Sequence, residues 1–117
     1  MLFSAATEPG EHDKPNEDWV GMTPNAVVVL DGVTVQESFR GSCIHGTPWY
    51  VMKMGSKLIA EAADQNTSLT DALRNAISST TALHADTCQL DDIGAPSAAV
   101  AVLRIKKRAI EYLVLQP

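Results

Sequence analysis

The stretch AVVVLDG at residues 26–32 decides the fold class of this chain. Its first five residues are continuously apolar and rich in β-branched side chains, and Asp31-Gly32 then closes the run. A continuous apolar run, in contrast to an alternating one, is typical of a strand that is buried on both faces. The sequence therefore predicts a central strand over residues 26–30 that ends in a turn.

Two amphipathic helices are predicted after this strand. Thr47-Pro48 offers a hydroxyl N-cap followed by proline at the first helical position, and apolar residues then recur at helical spacing to about Ala63. Gly55 lies inside this helix and lowers its stability by about 1 kcal/mol relative to alanine, unless a neighbour packs closely there. Ser68 is expected to cap a second helix that ends near Thr87.

An apolar hairpin is predicted at the end of the chain. Residues 98–105 and 109–115 are strand-like runs, and the polar triplet Lys106-Lys107-Arg108 between them predicts the turn. A further strand is expected in the apolar segment before the polar loop at residues 9–15. The predicted order is strand, loop, strand, two helices and hairpin, which is an α+β class in one domain over residues 1–117.

Composition excludes several classes of partner. Nine Lys and Arg face 14 Asp and Glu, which gives a net charge of −5, and the triplet at residues 106–108 is the one cluster of cations. We therefore expect no nucleic-acid partner. No run approaches the ~20 apolar residues of a membrane span, and residues 1–8 lack the basic start of a signal peptide. We expect no membrane partner, and a cytoplasmic location with reduced cysteines.

Three acidic residues are the main candidates for a functional site. Glu17 and Asp18 lie in an early loop, and Asp31 ends the central strand. Hard divalent cations bind several carboxylate oxygens, and these acids could converge to supply them, while Gly32 would let its carbonyl reach a ligand closely. Trp19 is expected to wall this acidic loop. The alternative is that Glu17 and Asp18 are solvated and that Asp31-Gly32 is a common turn.

Four segments resemble successive motifs of metal-dependent protein phosphatases of type 2C: PNED at 15–18, VVLDGVT at 28–34, GAPSAAVAV at 94–102 and IEYLVL at 110–115. A fifth, CIHGTPWY at 43–50, resembles bacterial members of the family. The resemblance covers nearly the whole chain. It implies an α-β-β-α sandwich in which two Mg²⁺ or Mn²⁺ ions activate a water that attacks a phosphoserine or phosphothreonine.

The resemblance also implies a role for each matching residue. Asp31 would bridge both ions, Glu17 would ligate one ion, the Gly32 carbonyl would ligate the other, and Asp18 would hold metal-bound water. The chain has Asp13 where the family's phosphate-clamping arginine usually lies. Lys14 beside it would then bind phosphate, as a point charge and not as a bidentate fork.

The resemblance further implies a second half of the domain with additional metal-binding aspartates, which would follow residue 117. We therefore expect a partial, apparently truncated domain, because half a sandwich leaves edge strands and apolar faces uncovered. Missing sequence or a second copy in a homo-oligomer would complete it for a phosphoprotein substrate. The alternative is an inactive fragment or pseudo-phosphatase that acts as a binding or oligomerisation module.

Two Cys-His pairs could form a second site. Cys43 and His45 would share one face of an extended segment, and His84 and Cys88 lie about one helical turn apart. Together they could provide the four sulfur and imidazole ligands of a zinc site. The alternatives are that His84 complements the helix dipole and that the cysteines are inert in the core. A Cys43–Cys88 disulfide is not expected in a reducing compartment.

Overall fold

A computed structural model describes residues 2–36, 38, 41, 43–91 and 94–117. This part of the chain forms four strands and two helices: β1 (Asp18–Thr23), β2 (Ala26–Gly32), α1 (Gly46–Ala62), α2 (Leu69–His84), β3 (Ala98–Lys106) and β4 (Ala109–Leu115). The strands make one antiparallel sheet in the order β1-β2-β3-β4. The predicted α+β class is therefore confirmed. In the part of the chain that the structure describes, neither helix is long and apolar enough to cross a bilayer.

Strand β2 is interior to the sheet, as predicted, because it pairs with both β1 and β3. Ala26, Val28 and Leu30 have no exposed surface and form one core cluster with residues of both helices. Val29 points to the other face and is 46% exposed. The prediction that both faces of β2 are buried is therefore wrong, because both helices pack on the same face of the sheet.

The sheet face turned away from the helices presents apolar side chains from all four strands, with Asp18 and Asp31 at one end. The cross-strand register places Val29 of β2 beside Ala101 of β3, and Ala101 beside Val114 of β4. The large apolar side chains exposed on this face are those of Met22, Val29, Ile110, Tyr112 and Val114. An apolar face of this extent is typical of an interaction surface. We call it the open face.

The first strand lies later in the chain than the sequence predicts. Residues 2–17 contain no helix or strand, so the prediction of a strand before the polar loop is wrong. Strand β1 instead begins at Asp18, inside the segment interpreted as a loop. Its sequence has weak strand propensity around Gly21, and its pairing with β2 overrides that local weakness.

Helix α1 begins at Gly46, before the expected position. His45 is its N-cap and makes no capping hydrogen bond through its side chain, so Thr47 is not the cap. The Thr47 hydroxyl instead donates a hydrogen bond to the Val33 carbonyl at 3.1 Å. This bond ties the start of α1 to the chain that leaves β2.

Helix α2 begins where the sequence predicts. Ser68 is its N-cap, and its hydroxyl accepts a hydrogen bond from the backbone N–H of Asp71 at 3.1 Å. The helix ends at His84, three residues before the predicted end. The hairpin of β3 and β4 is also confirmed, with Lys107-Arg108 as its turn and Lys107 in the left-handed region at φ 54°.

Arg104 of β3 links the hairpin to the end of α1. Its side chain is 1% exposed, and its guanidinium donates to the Glu111 carboxylate on β4 at 2.7 Å. It also donates to the carbonyl oxygens of Ala62 and Asp64, at 3.2 and 3.0 Å. The last carbonyls of a helix lack partners within that helix, so Arg104 satisfies acceptors that would otherwise be orphaned.

Candidate functional site

The structure brings all five predicted metal-binding and phosphate-binding residues to one cleft of about 330 Å³. The cleft lies at the end of the sheet where β1 begins and β2 ends. The predicted residues that line it are Lys14, Glu17, Asp18, Asp31 and Gly32. We call it the acidic cleft.

Asp18 and Asp31 face each other as direct cross-strand partners. Alternation along the strands places both on the open face of the sheet. Partial loss of hydration raises the pKa of Asp18, and the nearby charge of Asp31 raises it further, because both effects disfavour the ionised form. Two carboxylates in this arrangement attract a cation, which would relieve their repulsion.

Gly32 allows the two strand ends to approach closely. Its backbone N–H donates to the Glu17 carbonyl at 3.0 Å and to the Asp18 carboxylate at 3.3 Å. A Cβ atom at this position would lie 2.6 Å from Cγ2 of Thr47 and would collide with the Glu17 carbonyl. Glycine is therefore required for the backbone of Glu17 to reach this position.

Hydrogen bonds hold the other parts of the acidic cleft. The Asn16 side chain accepts from the backbone N–H of Asp18 at 3.0 Å, and the Thr34 hydroxyl donates to the Glu17 carboxylate at 2.6 Å. Sequence reasoning missed the role of Thr34, because that contact depends on how the loop folds back after β2. Lys14 lies at the mouth of the cleft, 3.4 Å from the Glu11 carboxylate in an exposed ion pair.

Trp19 does not line the acidic cleft, so its expected role as a wall is wrong. It follows Asp18 in β1, and successive strand residues point to opposite faces of the sheet. Its indole ring therefore lies on the helical side, packed against the core between Gly21 and Gly55.

Cys43, His45, His84 and Cys88 form a second cluster, in which one potential ligand atom of each residue lies within 4.8 Å of all the others. Cys43 Sγ is 3.6 Å from His84 Nδ1 and 3.8 Å from His45 Nδ1, and Cys88 Sγ is 3.5 Å from His45 Nδ1. This group could hold a metal ion. Among the described residues it is the one compact set of three or more Cys, His, Asp or Glu ligands.

The structure joins Cys43 and Cys88 by a disulfide, so the expectation against this bond is wrong. The physical reason is the packing of the helices, which places the start of α1 beside the end of α2. The His45 ring is stacked on Trp49 with ring centroids 3.9 Å apart. Burial lowers the pKa of His84, and the neighbouring His45 lowers it further, so its imidazole favours the neutral form.

Comparison of the chain with protein-family models, with curated proteins and with solved structures found no match.

Proposed function

We propose that the acidic cleft binds Mg²⁺ or Mn²⁺ and forms part of a phosphatase-like domain that hydrolyses phosphoserine or phosphothreonine when a second sheet completes it. The observation that carries this proposal is the cross-strand pair of Asp18 and Asp31, in a cleft that also contains Glu17, Gly32 and Lys14. Residues that are up to 18 positions apart in sequence meet there, and they supply oxygen ligands beside one cation.

The donor types of the acidic cleft suit a hard divalent cation, and binding would require the carboxylates of Glu17, Asp18 and Asp31 to draw closer, because they do not form a compact ligand set among the described residues. The carboxylates and backbone carbonyls of the cleft are the ligands that Mg²⁺ and Mn²⁺ prefer, and Mg²⁺ usually keeps several waters in addition to one or two carboxylates. Asp31, Glu17 and the Gly32 carbonyl would hold the ions, and Asp18 would orient their water. When bound, the ions supply a water of lowered pKa and neutralise charge on the phosphoryl oxygens.

Lys14 would attract the phosphate group of the substrate. Its ion pair with Glu11 is exposed on both sides, and such pairs contribute about 0–1 kcal/mol to stability. The ammonium can therefore exchange Glu11 for a phosphate at little cost. Because lysine presents a point charge, it would attract the phosphate without fixing its orientation.

The open face supports the second part of the proposal, a sandwich completed by a second sheet. Stacked sheets pack about 10 Å apart through apolar side chains, and the open face presents such side chains. Asp18 and Asp31 lie on this same face, so a covering sheet would add its own residues to the free side of the acidic cleft. For this chain alone, we propose that the second sheet comes from another copy of the chain.

Light scattering coupled to size-exclusion chromatography tests this self-association. We expect a dimer that Tyr112→Lys dissociates, because Tyr112 is 76% exposed at the centre of β4 on the open face. Leu83→Lys is the matched control, since Leu83 is 48% exposed on α2, away from that face. A monomeric wild-type chain would contradict self-association.

Calorimetric titration with Mn²⁺ and hydrolysis of para-nitrophenyl phosphate test the cleft. We expect Asp31→Asn to weaken Mn²⁺ binding at least about tenfold, because it removes the charge of one facing carboxylate. Asp86→Asn is the control, because Asp86 is an exposed acid outside the cleft. The rate of para-nitrophenyl phosphate hydrolysis should rise with the fraction of the chain that is dimeric. Absence of heat with the wild type would refute metal binding, and heat without turnover would favour the alternative of an inactive module.

A further inference from the structure

The cluster of Cys43, His45, His84 and Cys88 neighbours the acidic cleft, because Cys43 and His45 line a pocket that Glu17 also lines, but its ligand chemistry is different. Two sulfur and two imidazole ligands are typical of structural zinc sites, whereas Mg²⁺ and Mn²⁺ prefer oxygen. The histidines each present Nδ1 to the sulfur atoms. The ligand types therefore favour zinc over the ions proposed for the acidic cleft.

The distances within this cluster match a tetrahedral zinc site. With zinc–sulfur bonds of about 2.3 Å and zinc–nitrogen bonds of about 2.0–2.1 Å, a sulfur and a nitrogen on the same zinc lie about 3.6 Å apart. The three sulfur–nitrogen distances in the structure are 3.5, 3.6 and 3.8 Å. Three edges of the tetrahedron are thus already present between side chains that are up to 43 residues apart in sequence.

The helices hold these ligands in place. His84 is the last residue of α2 and is 4% exposed, and the backbone N–H of Cys88 donates to the His84 carbonyl at 2.9 Å, one turn further on. His45 is the N-cap of α1, and the Trp49 ring stacked on it fixes the orientation of its imidazole. Ligands fixed on rigid elements lose little freedom when a metal binds, which favours affinity.

We propose that the reduced chain binds one Zn²⁺ ion through Cys43, His45, His84 and Cys88, and that this ion and the Cys43–Cys88 disulfide are alternative links between the start of α1 and the end of α2. The sulfur atoms of a disulfide are about 2.05 Å apart, whereas two sulfurs on one tetrahedral zinc are about 3.8 Å apart. One cluster therefore cannot hold both. Rotation of the Cys88 side chain can supply the separation, and it leaves both distances from Cys43 Sγ to the histidines unchanged.

The interconversion balances with a dithiol as reductant. The dithiol gives two electrons and two protons to the disulfide, the S–S bond breaks, two thiols form, and the dithiol closes into a cyclic disulfide. Zn²⁺ then replaces the two thiol protons, which pass to the solvent. In the reverse direction, a disulfide-class oxidant accepts two electrons from the thiolates and two protons from solvent, the S–S bond forms again, and zinc is released.

The link has the same structural consequence in either state. It closes a loop with a sequence separation of 45 that contains both helices. A cross-link of this kind restricts the unfolded chain, and a metal that binds only the folded state stabilises it by mass action. Reduction without zinc removes the link, so the reduced, metal-free chain should be the least stable of the three forms.

Titration of the full chain with zinc, in oxidised and reduced forms, tests this proposal without any substitution. The reduced form is prepared with dithiothreitol, which is then removed by gel filtration under nitrogen. We expect one zinc per reduced chain in competition with a chromophoric chelator, release of protons in weak buffer, and a melting temperature raised by several degrees. The oxidised form should show none of these effects. Equal binding by both forms, or no binding by the reduced form, would overturn the proposal.

Two variants and a spectroscopic probe identify the ligands. Mutation of a residue that only orients a metal ligand typically lowers metal affinity about 10–100-fold. Loss of a ligand itself should cost more, so His45→Gln and Cys43→Ser should each weaken zinc binding by more than about 100-fold. His12→Gln is the matched control, because His12 is exposed in the N-terminal loop. Co²⁺ in the reduced wild type should show the intense visible bands of tetrahedral thiolate coordination. Octahedral spectra, or affinities unchanged in the first two variants, would refute this ligand set.

Discussion

Gly55→Ala provides the sharpest test of the packing between α1 and the sheet, because two physical effects predict opposite signs. Gly55 is buried near the middle of α1, where alanine has the higher helix propensity. The indole of Trp19 lies directly against it, however, and a Cβ atom there would be 2.7 Å from Cζ3 of that ring, with two other ring carbons closer still. Gly21 lies against the same ring, where a Cβ atom would collide as well.

The expected change in the free energy of unfolding follows from these distances. Carbon atoms in good contact are about 3.5–4.0 Å apart, so the ring would have to shift by about 1–1.5 Å. Such overpacking typically lowers the free energy of unfolding by about 1–3 kcal/mol. The higher helix propensity of alanine raises it by about 1 kcal/mol. Because the strand backbone at Gly21 blocks the retreat of the ring, we expect a net loss of about 1–2 kcal/mol.

Thermal and urea unfolding, followed by circular dichroism and tryptophan fluorescence, measure this loss. For a domain of this size, it lowers the melting temperature by about 4–10 °C. Two controls isolate the cause. Gly10→Ala, with nothing near its Cβ position, should change stability by less than about 0.5 kcal/mol. In a Trp19→Leu background, Gly55→Ala should become stabilising. A wild-type background in which Gly55→Ala raises the melting temperature would refute the packing argument.

Three further predictions concern other parts of the fold. Arg104→Met should lower the free energy of unfolding by about 3 kcal/mol in urea, because it orphans the buried Ala62 carbonyl and the part-buried Asp64 carbonyl and leaves Glu111 without its cation, whereas Glu111→Gln should cost only about 1 kcal/mol, because it keeps an acceptor oxygen. Equal losses would contradict this. Gly32→Ala should displace Glu17 and weaken Mn²⁺ binding about tenfold in calorimetry, and unchanged affinity would count against the cleft geometry. Hydrogen bonds from Asn66 and Thr67 lower the pKa of Asp64, so its ionised form stabilises the fold above its usual pKa of 3.8 and this contribution is lost as pH falls through the lowered value. The stability difference between wild type and Asp64→Asn should therefore shrink in melts below pH 3.8, and a constant difference would refute the linkage.

Local signals predicted the interior strand, the two helices and the final hairpin. The β-branched run of β2 and the Ser68 cap of α2 are of this kind, because each depends on neighbouring residues in sequence. The same signals failed at β1. Its strand state depends on pairing with β2 and on space for the Trp19 ring between two glycines, and neither is visible in residues 18–23 taken alone.

The acidic cleft was predictable in its composition, because Glu17, Asp18, Asp31 and Gly32 stand out as chemistry-bearing residues near turns. The antiparallel register of β1 and β2 places Asp18 opposite Asp31, and all four residues line one cleft, while their role as metal ligands stays a prediction. The fixed position of Glu17 was not predictable, because it depends on the Thr34 hydroxyl and on the missing Cβ of Gly32.

By itself, the sequence determined the α+β class and the identity of the chemical groups: oxygen ligands at the strand ends, and sulfur and imidazole ligands at the helix ends. Hydrophobic periodicity and capping are local properties, so they can be read from neighbouring residues. Only the tertiary structure decided that both helices cover one face of the sheet, that the other face stays open beside Asp18 and Asp31, and that Cys43 meets Cys88. These features depend on contacts between residues far apart in sequence, which no local pattern specifies.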